Sequence, residues 1–281
     1  MMSPGNRLGR QSAVRYADGT TMPASQCGIA RMVGVARDLL FPRGCAGCDK
    51  PDAILCPACR AQFNQIRERH LPETATGRIW CAAAYEHAVR QAILAWKDHD
   101  DTELDKTFAQ ILTEVCRRCA VPQLRKLNSA YNGVYSDILI VPAPSSLASM
   151  RRRGRNHMMP LAQTVARDLN LQGFDARAVS ALVSATEGGR SVQQHSAAQR
   201  ARRVAGHIRI HPRIQVRGTM VIVVDDIVTT GNTLHQSVAT LTQAGATVLC
   251  ALALAEAVSY RDDHDSYGET NAQSAYPALQ S

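Results

Sequence analysis

One stretch constrains the fold more than any other: Met220–Thr233, reading M-V-I-V-V-D-D-I-V-T-T-G-N-T. Val221 to Val224 are consecutive apolar β-formers, the pattern of a strand buried on both faces in a parallel sheet. Asp225 and Asp226 follow at its end. Then come Thr229-Thr230-Gly231-Asn232-Thr233 and a helical pattern from Leu234 to Leu241, with Gly245 as its stop. A strand, an acidic pair, a hydroxyl-rich glycine turn and a helix start suit a phosphorylated sugar. Turn N–H groups and a helix N-terminus attract phosphate, and threonine hydroxyls can donate to the same oxygens. Carboxylates accept from ribose hydroxyls but repel phosphate, so the two halves must grip opposite ends of the ligand. A Walker B strand would need a G-x-x-x-x-G-K-[ST] loop, which the sequence lacks. The acidic strand end of a receiver or haloacid-dehalogenase-like site leaves T-T-G-N-T without a role.

A second constraint lies upstream. Cys45-x-x-Cys48 and Cys56-x-x-Cys59 are two knuckle spacings with seven residues between them. Two such knuckles build a tetrahedral four-thiolate site, which leaves no open coordination position and so reads as structural zinc. Gly44, Gly47 and Pro57 suit the turns. In a segment this poor in apolar residues, the metal would supply most of the folding energy. Cys116-x-x-Cys119 lies on a predicted helix over Thr102–Ala120, where spacing of three is also what core packing produces. It reads as small buried or half-buried residues, and Cys81 and Cys250 read as core.

The remaining elements arrange themselves around these two. Residues 1–28 are polar and aperiodic and read as a disordered arm; Ile29, Met32, Val33, Ala36 and Leu40 fall at helical spacing. Residues 29–78 form a short helix, the cysteine module and a polar connector. Residues 79–257 form the main domain, and 258–281 a disordered tail. Ile79–Tyr85 reads as a strand, followed by a helix that ends at Lys97, one of four lysines. Lys97 either complements the helix C-terminal dipole or reaches a pyrophosphate. Residues 121–136 read as a loop or an insertion. Asp137–Val141 is a second buried strand, leading into Pro142-Ala143-Pro144-Ser145-Ser146. In open α/β sheets such strand ends line the ligand crevice. Arg151-Arg152-Arg153-Gly154-Arg155 follows, able to clamp a leaving pyrophosphate or to contact a nucleic-acid backbone. Gly188–Arg203 reads as a lid.

Bulk properties exclude some classes. The 281 residues suffice for one large domain or two small ones. No apolar run reaches the ~18 residues of a membrane span. No apolar segment follows Arg7, Arg10 and Arg15, so a secretory signal is not expected and the cytoplasm is. Net charge is +8, with arginine far outnumbering lysine, which favours an anionic ligand or a solvated basic surface. Aromatic residues are only 5% and do not interleave with the arginines, so a stacking platform for single-stranded nucleic acid is weak.

The Met220–Thr233 stretch resembles the phosphoribosyl-pyrophosphate (PRPP) motif of type I phosphoribosyltransferases. The wider order resembles the ComF family of such proteins, linked to DNA uptake in competent bacteria. Its features read here as Asp38-Leu39-Leu40-Phe41-Pro42, the four cysteines, Lys97, Val141-Pro142-Ala143-Pro144, Arg153-Gly154-Arg155-Asn156 and Val224–Thr233. Arg155 and His157 stand where that family often has Phe and Gln. The resemblance implies an α/β fold, a type I phosphoribosyltransferase-like parallel sheet flanked by helices and preceded by a small zinc-ribbon module. It implies that Asp225 and Asp226 hold the ribose hydroxyls and that Thr229, Thr230, Gly231, Asn232 and Thr233 wrap the 5′-phosphate. Pro142, Ala143, Pro144, Ser145, Arg151, Arg153 and Lys97 are the candidates for pyrophosphate. Magnesium would accompany PRPP, zinc would occupy Cys45, Cys48, Cys56 and Cys59, and a nitrogenous base would be the acceptor. The alternative is a protein that binds PRPP or handles single-stranded DNA without catalysis. An oligomer is left open.

Overall fold

The computed structural model describes residues 14–15, 21–22, 44–98, 101–130, 137–145, 154–185 and 207–257. Outside them lie the predicted helix at Ile29–Leu40, Arg151 to Arg153, the Gly188–Arg203 segment and the 258–281 tail. In the N-terminal arm, Val14–Arg15 pairs antiparallel with Thr21–Met22.

The chain first folds the cysteine module. A Gly44–Pro51 bridge closes the first knuckle, and α1 (Pro57–Ala61) carries the last cysteine. A 3-10 turn at Gln62–Asn64 then places Phe63 in the main core, tilted against Phe108 at 5.6 Å. The segment read as a connector contains a strand, β1 (Arg67–His70), which pairs antiparallel with β2 (Arg78–Ala84). Its R-E-R-H sequence has no apolar alternation, so periodicity gave no signal for it.

The other elements are α2 (His87–Asp98), α3 (Leu104–Val115), a π-helical turn at Cys116–Ala120, α4 (Val121–Ala130), β3 (Ile138–Pro142), α5 (Met158–Leu171), β4 (Ala176–Ala178), β5 (Leu182–Ala185), β6 (His207–Ile210), β7 (Met220–Val228), α6 (Asn232–Gln243) and β8 (Thr247–Glu256). The expected loop at 121–136 is thus helical through residue 130; Val121 and Leu124 are buried and hold α4 to the core. The central sheet runs β1-β2-β8-β7-β3-β4. All its pairings are parallel except β1 with β2. A separate antiparallel pair joins β5 and β6.

Alternation in the strands explains the layers. Ile138, Ile140, Ile222, Val224, Leu252 and Leu254 face the layer of α2, α3 and α5. Leu139, Val141, Val221, Val223, Ala251 and Ala253 face α6 and the β5–β6 pair. Both faces are covered, so the strands carry unbroken apolar runs. From β3 the chain crosses to β4 on one side, whereas β7 lies on the other side of β3. The sheet therefore has its switch point between β3 and β7, and a crevice opens beyond their C-terminal ends.

Candidate functional site

Both strands deliver polar groups at that switch point. Pro142 pairs with Val224, and the Ala143 N–H donates to the Val224 carbonyl at 2.8 Å. The stiff turn through Pro144 and half-exposed Ser145 therefore runs beside the acidic pair. The pair does not cap the strand as its sequence suggests: β7 continues through both aspartates to Val228, because Ala253 and Ala255 of β8 pair with Asp225 and Ile227. Consecutive residues inside a strand point to opposite faces. Asp226 accordingly projects toward α2 and α5, and Asp225 toward the α6 side.

The two carboxylates have different surroundings. Asp226 is buried and receives Lys97 Nζ at 2.7 Å and His157 Nε2 at 2.8 Å, both on Oδ2. Its Oδ1 accepts from the Ile227 N–H at 2.7 Å. Burial raises its pKa, but the His157 hydrogen bond and the Lys97 charge outweigh this and hold it at about 2. Asp225 is pushed up to about 7 by burial and by the Asp226 charge beside it. Lys97 thus spans from the end of α2 to the acidic pair, beyond the dipole position alone. His157 precedes α5, is 2% exposed, and packs edge-on against Trp96 at 4.8 Å. Its Nδ1 is buried without a protein partner. Sequence reasoning assigned His157 no role; its replacement of glutamine in the resemblance was the available signal.

The threonine–glycine loop follows. Thr229 and Thr230 are exposed. Gly231 adopts φ 81°, in the left-handed region that favours glycine, and caps α6. Asn232 and Thr233 form the exposed first residues of that helix. An αL residue at a helix start turns successive N–H groups into one concavity, the geometry of an anion nest. Behind the loop, Arg69 of β1 donates to the Thr229 and Thr230 carbonyls, and Glu73 accepts from His235 Nδ1 at 2.9 Å. Neither Arg69 nor Glu73 carried a sequence signal, since both lie in the presumed connector.

Of the basic run, Arg151 and Arg153 lie outside the described residues. Arg155 faces α3, donating to Asp105 at 2.8 and 3.0 Å, and Asp105 also accepts from Trp96 Nε1 at 2.6 Å. A cleft of about 560 Å³ between α3 and α5 is lined by Arg60, Thr113, Arg117 and Asp168 and holds none of the motif residues.

The cysteine module has the geometry to hold a zinc ion. The sulfurs of Cys45, Cys48, Cys56 and Cys59 all lie within 4.8 Å of one another, and Cys48 and Cys56 are 3.7 Å apart. Tetrahedral Zn–S bonds of 2.3 Å place sulfurs about 3.8 Å apart, so the set is consistent with a zinc ribbon. Burial raises the Cys45 thiol, but N–H groups from Cys56 and Gly47 draw it down to about 6, favouring thiolate. Burial and the neighbouring thiols push Cys59 up. A Cβ on Gly47 would fall 2.9 Å from Cys59 Sγ and 3.1 Å from Ala88 Cβ, so the knuckle closes only around glycine. Cys116 is fully buried and Cys119 half-buried, both with raised thiols.

Sheet order, switch point and the acidic strand with its αL-glycine loop define a phosphoribosyltransferase-like α/β domain. The family model described as phosphoribosyl transferase domain matches residues 158–273. No curated protein matches the chain. Among solved structures, it is similar to an allosteric regulatory enzyme of purine biosynthesis at 23% identity, covering 41% of this chain and 21% of that one, with a TM-score of 0.27. It is also similar to a Trypanosoma cruzi hypoxanthine phosphoribosyltransferase complexed with IMP at 18% identity, covering 54% and 65%, with a TM-score of 0.33. The chain thus spans about a fifth of the first and just under two thirds of the second. The fold assignment rests on the family match and the topology. No helix among the described residues is long and apolar enough to cross a membrane.

Proposed function

We propose that the protein binds PRPP with magnesium and transfers its ribose 5-phosphate to a nitrogenous acceptor, releasing pyrophosphate. The observation that carries this reading is the union, at one switch point, of an acidic pair in β7 and an αL-capped phosphate loop at the head of α6. The N–H groups of the loop and the hydroxyls of Thr229, Thr230 and Thr233 bind the 5′-phosphate. Asp225 accepts from a ribose hydroxyl. Asp226, held by Lys97 and His157, supplies fixed negative charge beside the sugar, where positive charge develops at C1. Magnesium would supply charge neutralisation on the pyrophosphate and would keep most of its waters, since the described residues form no carboxylate cage for it.

The C1–O bond to pyrophosphate breaks with its electron pair leaving on oxygen. The C1–N bond forms, and the nitrogen's proton passes to solvent. The Pro142–Ser145 turn and the cationic groups of Lys97, Arg151 and Arg153 would stabilise the leaving charge. Positioning and electrostatics then supply most of the barrier reduction. The test is pyrophosphate release from Mg·PRPP across a panel of purine and pyrimidine bases, with Asp225→Ala/Asp226→Ala as the negative control. Release with any base, lost in the double variant, supports transfer. PRPP binding without release supports the non-catalytic PRPP-binding alternative, and a wild-type protein that binds no PRPP refutes both of these PRPP readings.

A further inference from the structure

The strap between the cysteine module and β2 has a job that the phosphate loop itself does not reveal. Two arms of the Arg69 guanidinium reach the loop from behind: Nη1 to the Thr229 carbonyl and Nη2 to the Thr230 carbonyl, at 2.5 and 3.3 Å. A trans peptide holds its C=O and the following N–H antiparallel. Pulling these two carbonyls toward β1 therefore aims the N–H groups of Thr230 and Gly231 the other way, into the crevice. Among the described residues, neither amide has a protein acceptor. Two adjacent amides without a protein acceptor, at an αL glycine, are what an incoming phosphate needs.

The element that presents Arg69 is rigid. Leu71, two residues on, is fully buried. The Ala75 and Thr76 N–H groups donate to the Val248 and Leu249 carbonyls at 2.8 and 3.0 Å, fastening the turn after β1 to β8. From the same turn Glu73 meets His235, in the first turn of α6, at 2.9 Å. The loop is thus held from one side at its two carbonyls and at the helix it opens.

We propose that Arg69 is a positioning residue for the 5′-phosphate, acting through the Thr229 and Thr230 carbonyls to orient the loop amides toward a phosphomonoester. This rests on the PRPP reading above and adds to it the device that sets the phosphate subsite. Arginine suits the task because its planar fork reaches two acceptors at once, whereas an ammonium is a single point charge.

The experiment compares wild type, Arg69→Ala, Arg69→Lys and Arg78→Ala by calorimetric titration with ribose 5-phosphate and with magnesium pyrophosphate. The Arg78→Ala variant removes an equal charge from the neighbouring strand. Arg69→Ala is expected to weaken ribose 5-phosphate binding about tenfold or more and to leave magnesium pyrophosphate binding unchanged. Arg78→Ala should match wild type with both ligands. Arg69→Lys keeps the charge but loses the fork, so its affinity for ribose 5-phosphate should also fall. Should Arg69→Ala fail to fold, the lysine variant carries the test alone. Wild-type affinity in the Arg69 variants, or equal loss for both ligands, overturns the proposal. If wild type binds neither ligand, the PRPP reading fails first. Arg69 is then judged by nuclear magnetic resonance on ligand-free protein, where the Thr230 and Gly231 amide signals should move in Arg69→Ala and stay in Arg78→Ala; unmoved signals refute its role.

Discussion

Replacing His157 separates the charge lock around Asp226 from simple packing. His157→Leu retains most of the volume beside Trp96 but removes the Nε2 contact at 2.8 Å on a buried carboxylate. His157→Gln keeps a donor able to reach it. A hydrogen bond to a charged acceptor is worth about 1.5–3 kcal/mol, and a protein of this size loses roughly 2–4 °C of Tm per kcal/mol, so leucine should lower Tm by roughly 3–12 °C at pH 7. Glutamine should recover most of that loss. The pH dependence has a definite sign. Asp226 sits at about 2 in the folded protein against about 3.9 when unfolded. Its stabilising contribution is fully present above the unfolded value and is lost as pH falls toward 2. The gap between wild type and His157→Leu should therefore close over that acid window. Scanning calorimetry from pH 7 down to pH 2 measures it. A leucine variant as stable as wild type at pH 7, or a gap that ignores pH, would refute the reasoning.

Other expectations follow from the same geometry. Because Asp225 is held at about 7 and accepts hydroxyl hydrogens best when ionised, affinity for Mg·PRPP should rise as pH climbs through neutrality; titrations of Asp225→Asn should lack that limb. Gly47→Ala places a Cβ 2.9 Å from Cys59 Sγ, so competition with a chromophoric chelator should show weakened zinc binding, and wild-type affinity would count against the knuckle geometry. Metal analysis should find about one zinc per chain, and its removal should lower Tm. Asp105→Ala strips a shared acceptor from Trp96 and Arg155, so urea denaturation should show a loss of about 1–3 kcal/mol.

The buried parallel strands were legible because their apolar runs have no competing explanation, and the turn from β7 into α6 because strand, glycine and helix start occur in mechanical order. The four thiols were legible by spacing. Three kinds of feature were not. β1 is held by hydrogen bonding to β2 and carries a polar sequence, so no period betrays it, and Arg69 was hidden with it. Asp226 and His157 are 69 residues apart, and only the closure of α5 onto β7 brings them together. Arg155 looked like part of an anion clamp because spacing cannot tell which guanidinium faces an acid; here it pairs with Asp105. The continuation of β7 through both aspartates was invisible for the same reason, since it depends on the length of β8.

The twelve-residue helix α2 has its two ends in different chemistries. Ala88 near its start rests against the sulfur cluster, and Lys97 near its finish grips Asp226. A rod of that length, about 18 Å, pinned at both extremities, transmits tilt rather than absorbing it. Under the proposed function, oxidants and chelators that attack the thiols would act through this rod on the acid at its far end, with the thiol cluster as a remote fulcrum for sugar binding.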